Sequence, residues 1–258
     1  MTMKLGDAHL ITLAERPALI AEIPGVLAGA WPRFMLEGRP GHGVDLTQLL
    51  TAFPAHQALL LTRTDDLLGV GLSLPMGWDQ STIRLPAGWD GAVTAAADFH
   101  RRGGGSPTMV CALSITMTPA GIGRGLAAQL IGALKVAATR AGAASMIAPV
   151  RPIHKSRHPL IPLDQYLTWR TAAGEMFDPW VRLHLRLGGM IAGITFPSMT
   201  ISGSIADWEG WTSLALPSSG EHLIPGGLVP LRVDRDADIG IYQEPNVWIV
   251  HHTSAGCG

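Results

Sequence analysis

The sequence predicts an α/β fold on three observations. A strand, a glycine turn, a helix and a second strand follow one another across residues 108–150, a hairpin pattern precedes them, and several amphipathic runs carry helix caps. In chain order, residues 18–30 have helical spacing that Pro24 interrupts. "WPRFMLEGRPGHG" then reads as a loop, and residues 45–52 as a short helix with Asp45 as its N-cap. Residues 58–62 and 68–74 are strand-like runs around Thr64-Asp65-Asp66, the pattern of a hairpin. Residues 90–102 form a helix that Asp90 caps and the glycines at 103–105 close.

"TMVCALSITMT", residues 108–118, is apolar and β-branched enough for a buried central strand. In the run after it Leu126, Leu130, Leu134, Ala137 and Ala141 recur at helical spacing until Gly142 ends the helix. "SMIAPV", residues 145–150, returns as a strand. "PLDQYLTWR" and "DPWVRLHLRLGG" read as helices, with Asp178 and Pro179 as an N-cap and first-turn pair. Strands at 191–196 and 199–204 follow, and the chain closes with strand-like runs at 228–233, 239–242 and 247–250.

The 258 residues suit a single domain, with a core over about 1–206 and a C-terminal extension over about 207–258. With 47% hydrophobic and 15% charged residues the chain is an apolar globular protein, and its formal charge of -1 leaves no electrostatic footprint for nucleic acid. Two charge-free windows, 103–123 and 187–206, approach bilayer-spanning length, but glycine and proline break both, so no membrane partner is expected. The N-terminal residues show no secretory h-region, which makes the cytoplasm the expected location. Cys111 and Cys257 have neither metal nor redox spacing and read as unpaired thiols; no metal site is expected. His184 reads as a core histidine and His251-His252 as a solvated tail. The apolar content suits a homodimer.

The stretch "MTPAGIGRGLAAQLIGALKVAATRAG" places Gly121, Gly123 and Gly125 at the mouth of a helix. A helix start offers unpaired N–H groups and the positive end of the macrodipole, and glycine lets a large anion reach that backbone. The spacing excludes two phosphate motifs: no Lys-Ser or Lys-Thr follows, and Leu126 and Ala128 stand where a dinucleotide fingerprint needs its last glycine. A tight turn without ligand stands beside a phosphate cradle as a reading of these glycines.

Thr118-Pro119, three residues, then Gly123-Arg124-Gly125-Leu126 at a helix start, followed by "SMIAPV", resembles the central motif of the GNAT acyltransferase superfamily. The flanks "AWPRFML", "APVRPIHKSRHPLIPLDQYLTWR", "DPWVRLHLRLGG" and "EPNVWIVH" resemble a longer subgroup, similar in turn to the GNAT-like loading domains of some polyketide synthases. The resemblance implies a central mixed sheet with splayed strands and helices on both faces. It also implies an acyl-coenzyme A, with acetyl- or malonyl-coenzyme A as cosubstrate, bound by Ile115, Thr116, Met117, Ile122, Gly123, Arg124, Gly125, Leu126 and Ala127. Ala120 stands where the family usually has Arg or Gln, so side-chain help to the phosphates rests on Arg124.

Three activities follow from the resemblance. The leading one is acyl transfer to a small-molecule amine or a carrier-protein thiol, with Tyr166 as proton donor to the thiolate. The alternative is decarboxylation of malonyl-coenzyme A, for which Trp31, Thr118 (with Thr116 an equal candidate), His154 and Arg170 match the loading domains by order and spacing. A catalytically silent acyl-coenzyme A-binding module is the third.

Overall fold

In the computed structural model, which describes residues 8–38, 43–78 and 85–253, the predicted hairpin and central strand begin one mixed sheet. Strands β1 (Ala8–Thr12), β2 (Ala58–Thr62), β3 (Leu67–Met76) and β4 (Met109–Met117) run antiparallel in that order. β5 (Ser145–Val150) lies parallel to β4 and pairs on its other side with β9 (Ile239–His252). β9 is long enough to serve β5 with one half and β8 (Leu231–Asp234) with the other, and β8 in turn pairs β7 (Gly220–His222). β6 (Met190–Gly203) covers the opposite edge of β9 along most of its length. The segment expected as a C-terminal extension therefore carries an inner strand of the sheet. Where two strands were expected at 191–196 and 199–204, β6 is one strand with a register shift at the cis Phe196–Pro197 bond.

The strands alternate between two apolar layers, as a sheet covered on both faces must. Leu72, Leu74, Cys111, Ile147, Trp248 and Val250 point to the layer under α1 (Ile23–Ala28), α2 (Arg33–Glu37), α3 (Leu46–Ala52), α4 (Gly88–Arg101) and α8 (Ile205–Thr212). Val110, Ala112, Met146, Ala148, Val247 and Ile249 point to the layer under α5 (Ala127–Arg140), α6 (Leu163–Tyr166) and α7 (Pro179–Arg186). The buried stripe of α5 is Leu130, Ile131, Leu134 and Ala138, one residue round the wheel from the one expected at its C-terminal end. Cys111 is buried and unpaired, with its thiol pushed up by burial; Cys257 lies outside the described residues. Among the described residues no helix is long and apolar enough to cross a membrane.

Caps follow the sequence in two of three places. Asp45 accepts from Gln48 N, and Asp178 Oδ1 accepts from Trp180 N and Val181 N. Asp90 is instead a first-turn residue of α4, buried, with Oδ2 accepting from Thr200 N, so it fastens the helix to β6. The helix expected over "PLDQYLTWR" stops at Tyr166, because Trp169 turns back into a cluster with His158, Tyr166 and Phe177. α4 can lie this close to β6 only through Gly88, which has φ +67° and whose Cβ, if present, would lie 2.1 Å from Ser198 Cα. Gly88→Ala is expected to cost about 3 kcal/mol or more in urea unfolding, since strain and a backbone clash add.

Candidate active site

The site begins where the sheet comes apart. β4 and β5 pair at Met109–Ser145, Val110–Met146 and Cys111–Ile147, and there the pairing stops. Two local causes coincide. Leu113 is an extra residue on β4, since Leu72 pairs Ser114 while Ser73 pairs Ala112; its carbonyl accepts from Trp89 Nε1 at 3.3 Å. On β5 the next rung would need a donor from Pro149, which has none. The strands diverge into a groove of about 450 Å³, walled by Ala112–Met117 on one side and Ala148–Arg151 on the other.

The unpaired edge of β4 faces this groove. Thr118 N donates to Leu68 O, so alternation along an antiparallel strand turns the N–H of Thr116 to β3 and those of Ile115 and Met117 to the groove. Ser114 Oγ is buried there without a hydrogen-bond partner.

Beyond β4 the three glycines divide their work. Gly121 is needed for packing: a Cβ would meet Leu68 O at 2.3 Å. Gly123 and Gly125 have φ +77° and +70°, and a Cβ on either would project into open space. The N–H groups of Gly123, Arg124, Gly125, Leu126 and Ala127 find no backbone acceptor among the described residues, and they open at the start of α5. Backbone donors set this way at the positive end of a helix have the geometry that can hold a diphosphate. Arg124 is half-buried at its side. The donors, the open glycine positions and the orphaned Ser114 hydroxyl fit the phosphates and extended arm of a coenzyme A ester.

The far end of the groove carries buried charge that the sequence reading missed. Glu244 is fully buried; it accepts from Arg151 Nε at 2.9 and 3.0 Å, from Tyr242 OH at 2.7 Å and from Asn246 Nδ2 at 3.1 Å. Arg151 also donates to Gly226 O and keeps a quarter of its side chain exposed. Nearby Lys155, fully buried, donates to Leu228 O at 2.6 Å, and burial lowers its pKa to about 8. The loop "RPIHKSR" and the strand around "EPNVW" hold these residues, but nothing in their spacing brings them together.

Of the residues expected at the site, the structure assembles some and disperses others. Trp31 Nε1 donates to Thr116 Oγ1 at 3.1 Å inside the groove. Thr118 Oγ1 is turned to the carbonyls of Leu67 and Leu68. Tyr166 is wholly buried, its hydroxyl donating to Asp178 Oδ2 at 2.9 Å, away from the groove. His154 N donates to the same Oδ2, with its ring beside Phe177, and it lies outside the groove's lining. Arg170 is exposed and folds onto the carbonyls of Leu167 and Trp169. Ile115, Met117, Ile122, Gly123, Gly125, Leu126 and Ala127 all line the groove. His184, expected in the core, lines it too, and His251 is fully buried behind it instead of solvated.

No family model matches the chain. It is 30% identical over 271 residues to the arginine N-acetyltransferase avaD of Aspergillus versicolor, an alignment covering 94% of this chain and 93% of that one. The chain belongs to the GNAT superfamily. It is an acyl-coenzyme A-dependent acyltransferase. Two solved structures share the fold of this GNAT protein. The loading GNATL domain of CurA from Lyngbya majuscula has 14% identity and a TM-score of 0.56, over 95% of this chain and 97% of that one. The GphF GNAT-like decarboxylase in complex with isobutyryl-CoA has 17% and 0.58, over 95% and 98%.

Two outcomes follow from these placements. Tyr166→Phe is expected to lower stability by about 1–2 kcal/mol, for one lost donor to a buried carboxylate, while leaving kcat unchanged in a thiol-release assay. Burial holds His184 and His251 neutral, lowering both below the ordinary value, and His56 shifts the same way. As pH falls below about 6.5 the unfolded chain takes protons that the native state refuses, so stability falls with pH by up to about 1.4 kcal/mol per unit per histidine. Melting temperatures between pH 7.5 and 5.5 check this.

Proposed function

We propose that this GNAT enzyme transfers an acetyl group from acetyl-coenzyme A to the amine of a small amino-acid-like acceptor in the cytoplasm. One observation carries the reading: the groove that starts at the diphosphate cradle ends at the Arg151–Glu244 ion pair, opposite charges set side by side. Glu244 is taken up by its own donors, so the exposed quarter of Arg151 is the charge on offer and complements an acceptor carboxylate; a relative over nearly the whole chain is an arginine N-acetyltransferase.

A bound coenzyme A thioester supplies an activated acyl carbonyl. The N–H groups of residues 123–127 hold its phosphates, with Arg124 alongside, and the divergent strands guide its arm. The N–H groups of Ile115 and Met117 are aimed at the groove and polarise the carbonyl, the role in which fixed donors accelerate acyl transfer most. Arg151, oriented by both oxygens of Glu244, receives the acceptor's carboxylate. Trp31 and Met35 add apolar lining to the groove.

A second reading, decarboxylation of malonyl-coenzyme A, is favoured by the Trp31–Thr116 contact in the groove. His154 and Arg170 do not join that contact.

Mass spectrometry and thiol release after mixing the enzyme with acetyl-coenzyme A and L-arginine, other amino acids, arginine lacking its carboxylate, or a carrier-protein thiol, and in a separate arm with malonyl-coenzyme A alone, separate these outcomes. An N-acetylated amino acid is expected, with the decarboxylated analogue at least about 10-fold poorer for loss of a charged hydrogen bond. Arg151→Gln should raise the acceptor KM, and Gly125→Val the thioester KM. Silence with every amine removes the proposal, and acetyl-coenzyme A formed from malonyl-coenzyme A alone establishes the second reading.

A further inference from the structure

The groove contains one titratable side chain that neither the cradle nor the ion pair uses. His184, on α7, is 2% exposed, and its Nδ1 lies 3.0 Å from Nε2 of His251 on β9. The Trp180 ring stands edge-on to the imidazole at 4.9 Å and fixes its plane. His184 Nε2 makes no hydrogen bond among the described residues, yet it is not sealed in: its residue lines the groove, and it is absent from the fully enclosed polar atoms that lack a partner. A ring nitrogen with nothing to bond, on a residue that lines the same groove as Ile115 and Met117, is a proton-transfer group without an assigned task.

The second ring decides which way the proton faces. His251 Nδ1 is buried without a hydrogen-bond partner, and the Leu187 carbonyl favours a proton on that ring. With Nδ1 of His251 protonated, its Nε2 accepts from His184 Nδ1–H, and the lone pair of His184 Nε2 is left to the groove. Lys135 on α5, donating to Leu187 O, sets a positive charge near His251, and Arg151 and Glu244 face the same groove from the loop after β5 and from β9 respectively. Burial opposes a charge on either ring, with Lys135 adding to this at His251 and His251 at His184, so the pair rests neutral with the Nε2 lone pair of His184 unprotonated.

We propose that His184 is the catalytic base of the acyl transfer, with His251 as the positioning residue that holds its tautomer. The assignment rests on the amine-acylation reading above. The acceptor's ammonium first releases one proton to solvent; as the neutral amine nitrogen then bonds to the acyl carbon, its next proton passes to His184 Nε2. The carbon–sulfur bond breaks with its electron pair on sulfur, and the same proton then moves from Nε2 to the thiolate, leaving an amide, free thiol and neutral histidine. One proton is carried from nitrogen to sulfur, and no outside co-reactant is needed.

His184→Asn keeps an amide donor for His251 and removes only the groove-facing nitrogen. It is expected to lower kcat about 100-fold with the thioester KM and melting temperature little changed, the scale of a lost general base. His251→Gln retains an acceptor and should rescue most of the activity that His251→Phe loses. Independently of turnover, nitrogen-15 spectra of histidine-labelled protein should show His184 neutral with its proton on Nδ1 between pH 8 and 6. A kcat for His184→Asn within threefold of wild type, or a proton found on Nε2 of His184, overturns the assignment. If the wild type acylates no amine, the proposed function falls and takes this role with it, whereas transfer that survives His184→Asn removes the role alone.

Discussion

The parting of β4 from β5 is the constraint on which the rest of the structure depends. A parallel pair inside a covered sheet should run on, because each unmade rung leaves backbone donors and acceptors without partners. Here the extra residue at Leu113 bends one strand, and Pro149 withholds the next donor on the other. The exposed edge of β4 is tolerated because it faces a groove that a ligand can enter. Its N–H groups at Ile115 and Met117 are therefore fixed in direction by β3 before anything binds. Preorganised donors of this kind need no rearrangement when charge develops on the carbonyl, and this is what makes them effective.

Two buried carboxylates keep the walls of that groove in place. Asp178 takes two backbone N–H groups at the start of α7, the N–H of His154 and the hydroxyl of Tyr166, and so ties the helix to the loop after β5. Glu244 does the same for Arg151, Tyr242 and Asn246 on the opposite side. A buried charge is costly unless donors surround it, and each of these is surrounded. Tyr166 gives its hydroxyl to Asp178, and His154 its backbone N–H. His184, which looks like packing, rides on the helix that Asp178 anchors and arrives at the groove.

The difference between these histidines shows how far local pattern reaches. The cradle was legible because its ingredients are local: positive φ at Gly123 and Gly125 and a helix start need only a few neighbouring residues. The hairpin, the caps at Asp45 and Asp178 and the strand at 145–150 were legible for the same reason. Asp90 deceived because a residue in the first turn of a helix resembles its cap until a distant strand claims the side chain. Pro149 stood in plain view in "SMIAPV", yet its effect depends on which neighbour its nitrogen faces, and that is a property of the assembled sheet.

The sequence by itself determined the α/β class, most of the elements and the glycine turn at the start of α5, since backbone conformation and hydrophobic period are set within a few residues. Only the tertiary structure decided that β9 is an inner strand, that Trp31 meets Thr116 instead of Thr118, and that Arg151, Glu244 and His184 share one groove while His154 and Arg170 lie outside it. These outcomes rest on strand register, where a shift of one residue sends every side chain to the opposite face. Register is chosen by the packing of the whole sheet, so no short stretch of the chain records it.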